Sequence, residues 1–181
     1  MTTPPPDAMP RTQEALYEHA IAAYGTAIHR VARAYEADPD TREDLHQDIH
    51  LALWRSFAGF DARCSLRTWV YRVAHNVATT HVIRHRRTRA RFVGLDELAL
   101  PASRSDVEGD AHRTLMVERL HLLIQHLRPL DRQLLLLYLD DCDAKAMSEI
   151  TGLSAGHVAT KIGRIKQFLA RTHQTGAPHV R

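Results

Sequence analysis

The chain has 181 residues, enough for one domain or two small ones, and its 44% hydrophobic and 25% charged residues are an ordinary balance for a soluble globular protein. Its two cysteines, Cys64 and Cys142, lie far apart with no CxxC companion, so neither a zinc site nor a disulfide framework is indicated. No apolar run approaches the roughly 20 residues of a membrane helix.

The net charge of +3 and pI ≈ 9.1 hint mildly at an anionic partner. The distribution says more: Glu36 to Asp48 is acidic, whereas Ser65 to Arg91 is basic, so one face suits a basic partner and another suits phosphate. The opening MTTPPPDAMPRTQ is proline-rich and lacks the apolar core of a secretion signal, so residues 1–12 are predicted to be a disordered tail on a cytoplasmic protein.

A first helix is predicted from about Gln13 to Ala37, on the apolar repeat Leu16, Ala20, Tyr24, Ile28, Val31 and Tyr35. Asp38-Pro39-Asp40 interrupts it, and Asp40 with Glu43 has capping-box spacing for a second helix. That helix turns Leu45, Ile49, Ala52, Leu53 and Phe57 inward. Asp44, Gln47, Asp48, Leu51 and Trp54 form a separate stripe along it. The turn GFDARC leads to Ser65, a plausible N-cap. The third helix is expected to bury Leu66, Trp69, Val70, Val73, Ala74, Val77 and Val82. Its other side would show Arg67, Thr68, Tyr71, Arg72, His75 and Asn76, and its end runs into Arg84, Arg86, Arg87, Arg89 and Arg91. An apolar stripe, a polar and aromatic face and a basic tail on one rod suggest a nucleic-acid helix; for the tail alone, a solvated basic helix is the bland alternative.

Residues 92–110 lose periodicity and read as a flexible linker, with a short helical turn possible at Leu95 to Leu98. Helical spacing resumes with Met116, Leu120, Leu123, Ile124 and Leu127. Pro129 starts another helix, with Leu134 to Leu137 and Leu139 as its core, and Asp140-Asp141 closes it. The last segment has the layout of a helix-turn-helix: Ala144 to Thr151, a turn at Gly152, then a final helix capped by Ser154. That helix keeps Val158, Ile162, Ile165 and Leu169 inward, and shows His157, Thr160, Lys161, Arg164 and Lys166. No strand pattern and no repeat occur. The predicted fold is all-α: two small helical domains at 13–91 and 111–174, joined by the linker, with a tail at 175–181.

These stretches carry a resemblance. EDLHQDIHLALWRSFAGFDARCSLRTWVYRVAHNVATTHV resembles region 2 of bacterial sigma factors, and LDRQLLLLYLDDCDAKAMSEITGLSAGHVATKIGRIKQFLAR resembles their region 4. With no obvious region 1 or full region 3, the likeness is to the extracytoplasmic-function group of the sigma-70 family. It implies an alternative sigma factor with a region-2 three-helix bundle and a region-4 helix-turn-helix.

The stripe Asp44, Gln47, Asp48, Leu51 and Trp54 would then bind core RNA polymerase at the clamp helices of its largest subunit; from the residues alone, a solvated helix face is the simpler reading. Asp61, Arg63, Ser65, Thr68, Arg72 and Asn76 would melt and hold the minus-ten element, with Trp69 more a core residue than a stacking one. Ser154, His157, Thr160, Lys161, Arg164 and Lys166 would read the minus-thirty-five element of promoter DNA through the major groove. The linker would thread toward the polymerase active site. Anti-sigma proteins are common in that family and join the candidate partners. One departure stands out: His50 occupies a position where such proteins usually carry a bulky apolar residue.

Thirteen histidines raise a metal reading. His46/His50 and His81/His85 have the i, i+4 spacing that can put two imidazoles on one ion. Neither pair has an HExxH glutamate or a neighbouring cysteine, so histidine-rich composition is the cheaper explanation and no metal or other cofactor is expected. No phosphate loop, GxSxG elbow or Cys–His pair marks a catalytic site, and no enzyme activity is expected. The rival reading is a free-standing helix-turn-helix regulator with an N-terminal helical interaction domain. It differs in failing to co-purify with polymerase core subunits. A metal-binding helical bundle is a third reading, which metal analysis would settle.

Overall fold

The computed structural model describes the backbone of residues 12–92, 124–125 and 127–175, and every regular element among them is an α-helix. The chain divides into two compact units, Met1–Gln125 and His126–Arg181. None of the helices described is long and apolar enough to cross a membrane. The expected linker at 92–110, the start of the second domain at 111, and Met116, Leu120 and Leu123 lie outside the described residues, apart from Phe92.

The first unit is a three-helix bundle of α1 (Gln13–Tyr35), α2 (Pro39–Phe57) and α3 (Leu66–Phe92). Thr12 caps α1 by accepting from the Ala15 N–H at 3.2 Å. The predicted cap of α2 is corrected by two residues: Asp38, not Asp40, accepts from the Thr41 N–H at 2.9 Å and the Thr41 hydroxyl at 2.8 Å. Proline explains the shift. Pro39 has no N–H to satisfy and a φ already suited to a first turn, so it takes the opening helical position and leaves the cap to the residue before it. The capping bonds also hold the Asp38 carboxyl below its usual pKa.

Leu16, Ala20, Ile28, Val31 and Tyr35 of α1 are buried against Leu45, Ile49, Leu53 and Phe57 of α2 and Leu66, Val70, Ala74, Ala78 and Val82 of α3. Each large side chain sealed there contributes about 1.5–3 kcal/mol by leaving water. Tyr24, Ala52, Val73 and Val77, predicted as core, are only half-buried.

The larger correction concerns the supposed polar face of α3. Thr68, Tyr71 and His75 are buried, because α3 packs against both α1 and α2 and its buried arc is wider than one apolar stripe. His75 is fully enclosed. Its Nδ1 lies 3.2 Å from the Tyr35 hydroxyl, its ring stacks on Tyr71 with centroids 6.3 Å apart, and its Nε2 is buried with no hydrogen-bond partner among the described residues.

The second unit comprises α4 (Pro129–Leu139), α5 (Ala144–Thr151) and α6 (Ala155–Thr175). Leu134, Leu135, Leu136 and Leu137 are buried together with Ile150, Met147, Val158, Ile162 and Ile165. Leu139, predicted as core, is 54% exposed. The interior takes Arg132 and Gln133 on the N-terminal side of the leucine run instead, with Arg132 Nη2 donating to the Leu127 carbonyl at 3.2 Å. Leu169 has no described side chain.

Burial alone pushes His75 down to a pKa of about 3, so the folded state keeps it neutral while the unfolded chain protonates it near 6.5. Its contribution is complete above the unfolded value and is lost as pH falls from about 6.5 toward 3, amounting to about 2 kcal/mol between pH 7 and pH 5. His50, held low by burial and by neighbouring His46, adds in the same direction. Urea unfolding at pH 7, 6 and 5 should show this loss, and His75→Gln should flatten the dependence; an unchanged slope would assign the acid sensitivity elsewhere.

Candidate interfaces for protein and nucleic acid

Along α2, every member of the predicted stripe reaches solvent: Asp44, Gln47, Asp48, Leu51 and Trp54 are all exposed, whereas Leu45, Ile49 and Leu53, one position away from stripe members, are sealed. Leu51 and Trp54 stand 46% and 39% open, an unusual placement for large apolar groups beside two carboxylates. Trp54 is fixed rather than loose. Its ring meets Tyr17 edge-on at 5.5 Å, and its carbonyl accepts from Gln13 Nε2 at 2.8 Å.

His50 lies one helical turn from Trp54 and half-buried. It replaces apolar packing with polar contacts: the Tyr17 hydroxyl lies 2.7 Å from its Nδ1, and His46 Nε2 lies 3.3 Å from its Nε2. His29 completes the group, its ring 5.6 Å from that of His46. No local pattern announces this array, since Tyr17 and His50 are 33 residues apart.

The turn between α2 and α3 presents Asp61 and Arg63 together. Arg63 Nε lies 2.9 Å from Asp61 Oδ2, both side chains largely in solvent, and the Arg63 N–H donates to Asp61 Oδ1. Ala62 between them adopts φ 59°, a left-handed conformation that costs a non-glycine residue about 1–2 kcal/mol. Phe60 and Trp69 pack edge-on at 5.2 Å beneath this turn, and Trp69 Nε1 donates to Ser56 Oγ at 2.9 Å. Trp69 is thus a half-buried packing residue.

Ser65 caps α3 as predicted, accepting from the Thr68 N–H at 3.0 Å. Its hydroxyl donates to Thr68 Oγ1 at 2.9 Å. With Thr68 only 3% exposed, its hydroxyl serves the helix start and is withdrawn from the surface, a correction to its predicted place beside DNA. Arg72 is half-buried and Asn76, one turn on, is exposed. The side chains of Arg86, Arg87, Arg89 and Arg91 lie outside those described.

In the second unit, α5 and α6 are joined by a tight turn. Asp143 caps α5 by accepting from the Ala146 N–H at 2.7 Å. Gly152 closes it at φ 74°, ψ 5°, its N–H donating to the Ser148 carbonyl. The Ser148 hydroxyl donates to the Leu153 carbonyl, and Ser154 Oγ accepts the His157 N–H at 3.4 Å.

On α6, Ser154, His157, Thr160, Arg164 and Lys166 are exposed and Lys161 is half-buried. Two of the cations are anchored to α4. Lys161 Nζ is 2.8 Å from Asp131 Oδ1, and Lys166 Nζ sits 4.2 Å above the Tyr138 ring. Arg164 has no ion pair among the described residues. Asp131 and Tyr138 are the residues that sequence reasoning missed here, since their partners are close only in space.

Both units resemble known proteins. The family model for sigma-70 region 2 matches residues 20–88, and that for sigma-70 region 4 matches residues 117–169. The ECF RNA polymerase sigma factor SigG of Mycobacterium tuberculosis, in strains CDC 1551 / Oshkosh and ATCC 25618 / H37Rv, is 42% identical over 53 residues, 29% of this chain. The match spans about 14% of those relatives' length. Among solved structures, CnrH in complex with the cytosolic domain of CnrY has the same fold with TM-score 0.64 and 22% identity, covering 92% of each chain. The sigma factor RpoE in complex with the anti-sigma factor NepR, from Bartonella quintana, gives TM-score 0.67 and 16% identity over 89% of this chain and 98% of that one.

The turn at Gly152 sets the direction in which α6 leaves α5, and its left-handed φ is the reason for glycine. A Cβ there would meet nothing within 4 Å, so Gly152→Ala should cost only backbone strain, about 1–2 kcal/mol. Chemical denaturation of the two proteins side by side measures it; a difference below about 0.3 kcal/mol would mean the turn relaxes freely.

Proposed function

The chain belongs to the extracytoplasmic-function group of the bacterial sigma-70 family, and from that premise we propose that it is an alternative sigma factor that binds core RNA polymerase and directs it to selected promoters. The observation that carries this reading is the α2 stripe, where Leu51 and Trp54 stay open to solvent just beyond Asp44 and Asp48 while Leu45, Ile49 and Leu53 of the same helix are sealed. Such a surface buries its apolar members against a partner helix and pairs its carboxylates with basic groups. The partner proposed is the clamp helices of the largest polymerase subunit.

Promoter DNA is the second partner. Asp61, Arg63, Ser65, Arg72 and Asn76 line the turn and the first two turns of α3 or follow just beyond them, and they suit a single strand whose extruded bases need polar contacts. Ser154, His157, Thr160, Lys161, Arg164 and Lys166 suit duplex DNA, with the N-terminal residues of α6 against base edges and the cations toward phosphates. An anti-sigma protein is proposed as a third partner, supported by the NepR-bound fold relative. None of these roles asks this chain to make or break a bond.

Asp44→Arg with Asp48→Arg should leave the fold intact, since both side chains are exposed, and should weaken core polymerase binding at least about 100-fold by meeting basic groups with like charge. Co-purification with core subunits, alongside circular dichroism, tests it. Normal binding by a folded double variant would sink the interface and leave the free-standing regulator as the better reading.

Arg72→Ala with Asn76→Ala should separate promoter binding from promoter opening. Closed complexes, which depend on α6, should persist. Losing two polar contacts, each worth about 1 kcal/mol net, should lower the open-complex equilibrium by roughly tenfold or more, because extruding each base costs a few kcal/mol. Permanganate footprinting and transcription from duplex and pre-melted templates read the difference. Equal opening of duplex promoters by variant and parent would make this face merely solvated.

A further inference from the structure

Three metal-ligating side chains converge where the end of α1 meets α3. Glu36 is the C-cap of α1, in extended conformation at φ −131°, ψ 126°. Its Oε1 accepts from the Asp38 N–H at 3.0 Å, which steers the carboxylate, and its Oε2 lies 3.1 Å from His81 Nε2. His85 follows one helical turn after His81, with the two rings 4.2 Å apart at 26°. One ligand atom from each of Glu36, His81 and His85 lies within 4.8 Å of the other two.

We propose that Glu36, His81 and His85 bind one borderline divalent transition-metal ion, for which zinc serves as the probe. Ligand atoms about 2.0–2.1 Å from a tetrahedral ion stand roughly 3.3 Å from one another. The Glu36–His81 separation already meets that requirement. His85 is exposed and can close the remaining gap by turning its side chain, without moving the helix. Glu36 and His81 are shielded, their side chains only 14% and 9% accessible, so two of the three ligands are held in place before an ion arrives. Two imidazoles and one carboxylate suit Zn²⁺, Ni²⁺ or Cu²⁺ over Mg²⁺ or Ca²⁺, and they leave a fourth position for water or a partner's ligand.

A plain histidine–glutamate contact would explain Glu36 and His81. It gives no reason for a second imidazole at the same point. Spacing around His81 and His85 does not announce this set, because Glu36 is 45 residues away from His81. An ion here would clip the end of α1 to α3 just before α3 enters its arginine-rich continuation.

The test uses the full chain with any affinity tag removed. Zinc is titrated against a chromophoric chelator, cobalt absorption reports ligand geometry, and thermal melting reports linkage. One zinc per chain should bind with a dissociation constant below about 10 μM, and a hundredfold excess over that constant should raise the melting temperature by about 5–10 °C. His85→Ala should keep the metal-free melting temperature and weaken binding at least 30-fold. Glu36→Gln preserves a hydrogen-bonding partner for His81 and should weaken it at least tenfold, whereas His46→Gln should bind as the parent does. Binding weaker than about 10 μM, equal affinity in parent and His85→Ala, or loss in His46→Gln alone would each overturn the proposal.

Discussion

The structure depends on α3 being packed from two sides. A helix that served only as a basic rod would bury one stripe and leave the remaining surface to nucleic acid. Here α1 and α2 both lean on it, and the buried arc takes in Thr68, Tyr71 and His75 as well as the valines and alanines. The polar groups swallowed by that arc must find partners inside. Ser65 serves Thr68, Tyr35 and Tyr71 enclose His75, and Ser56 receives the Trp69 indole N–H. In the first three turns of α3 the polar surface left is narrow, with Asn76 exposed and Arg67 and Arg72 half-buried. A short polar edge on a packed bundle holds its geometry better than a loose basic surface would.

The same logic explains what could be read in the sequence. Apolar spacing placed all six described helices, the Ala144–Thr151 bounds and the exposed α2 stripe, because 3.6-residue periodicity reports on one helix against one core. It failed where a helix has two neighbours, so Tyr71 and His75 were assigned to the wrong side. It failed again at Leu139, where a leucine run is longer than the core that receives it. The α2 cap was misplaced because capping-box spacing outweighed the stronger positional preference of Pro39. Contacts such as Tyr17–His50, Glu36–His81 and Lys161–Asp131 span 33, 45 and 30 residues. No local pattern announces them, and they became visible only once the helices were placed.

Histidine recurs at helix junctions of the bundle in different roles. His75 is a buried neutral ring, kept uncharged by its surroundings. His46 and His50 join Tyr17 and His29 in a polar patch between α1 and α2, beneath the stripe that carries Trp54. At His50 this patch replaces hydrocarbon packing with hydrogen bonds, one of which, from Tyr17, ties α1 to α2. Tyr17 touches both His50 and Trp54, so the exposed indole and the histidine patch share one packing partner.

In the second unit the question is how a helix proposed to meet DNA can be both charged and ordered. Long cationic side chains lose up to about 2 kcal/mol of rotamer freedom when immobilised. Lys161 and Lys166 have given up part of that freedom already, one to the Asp131 carboxylate and one to the face of Tyr138. Both contacts come from α4, so the helix that supports α6 also aims its cations. Contact with a phosphate would then cost these lysines less order than it costs Arg164, which stands in solvent. The Asp131 pair also exacts something in return, because a lysine shared with a carboxylate presents less net charge to DNA. On the proposed reading Arg164 would supply long-range attraction, and the anchored lysines would supply position.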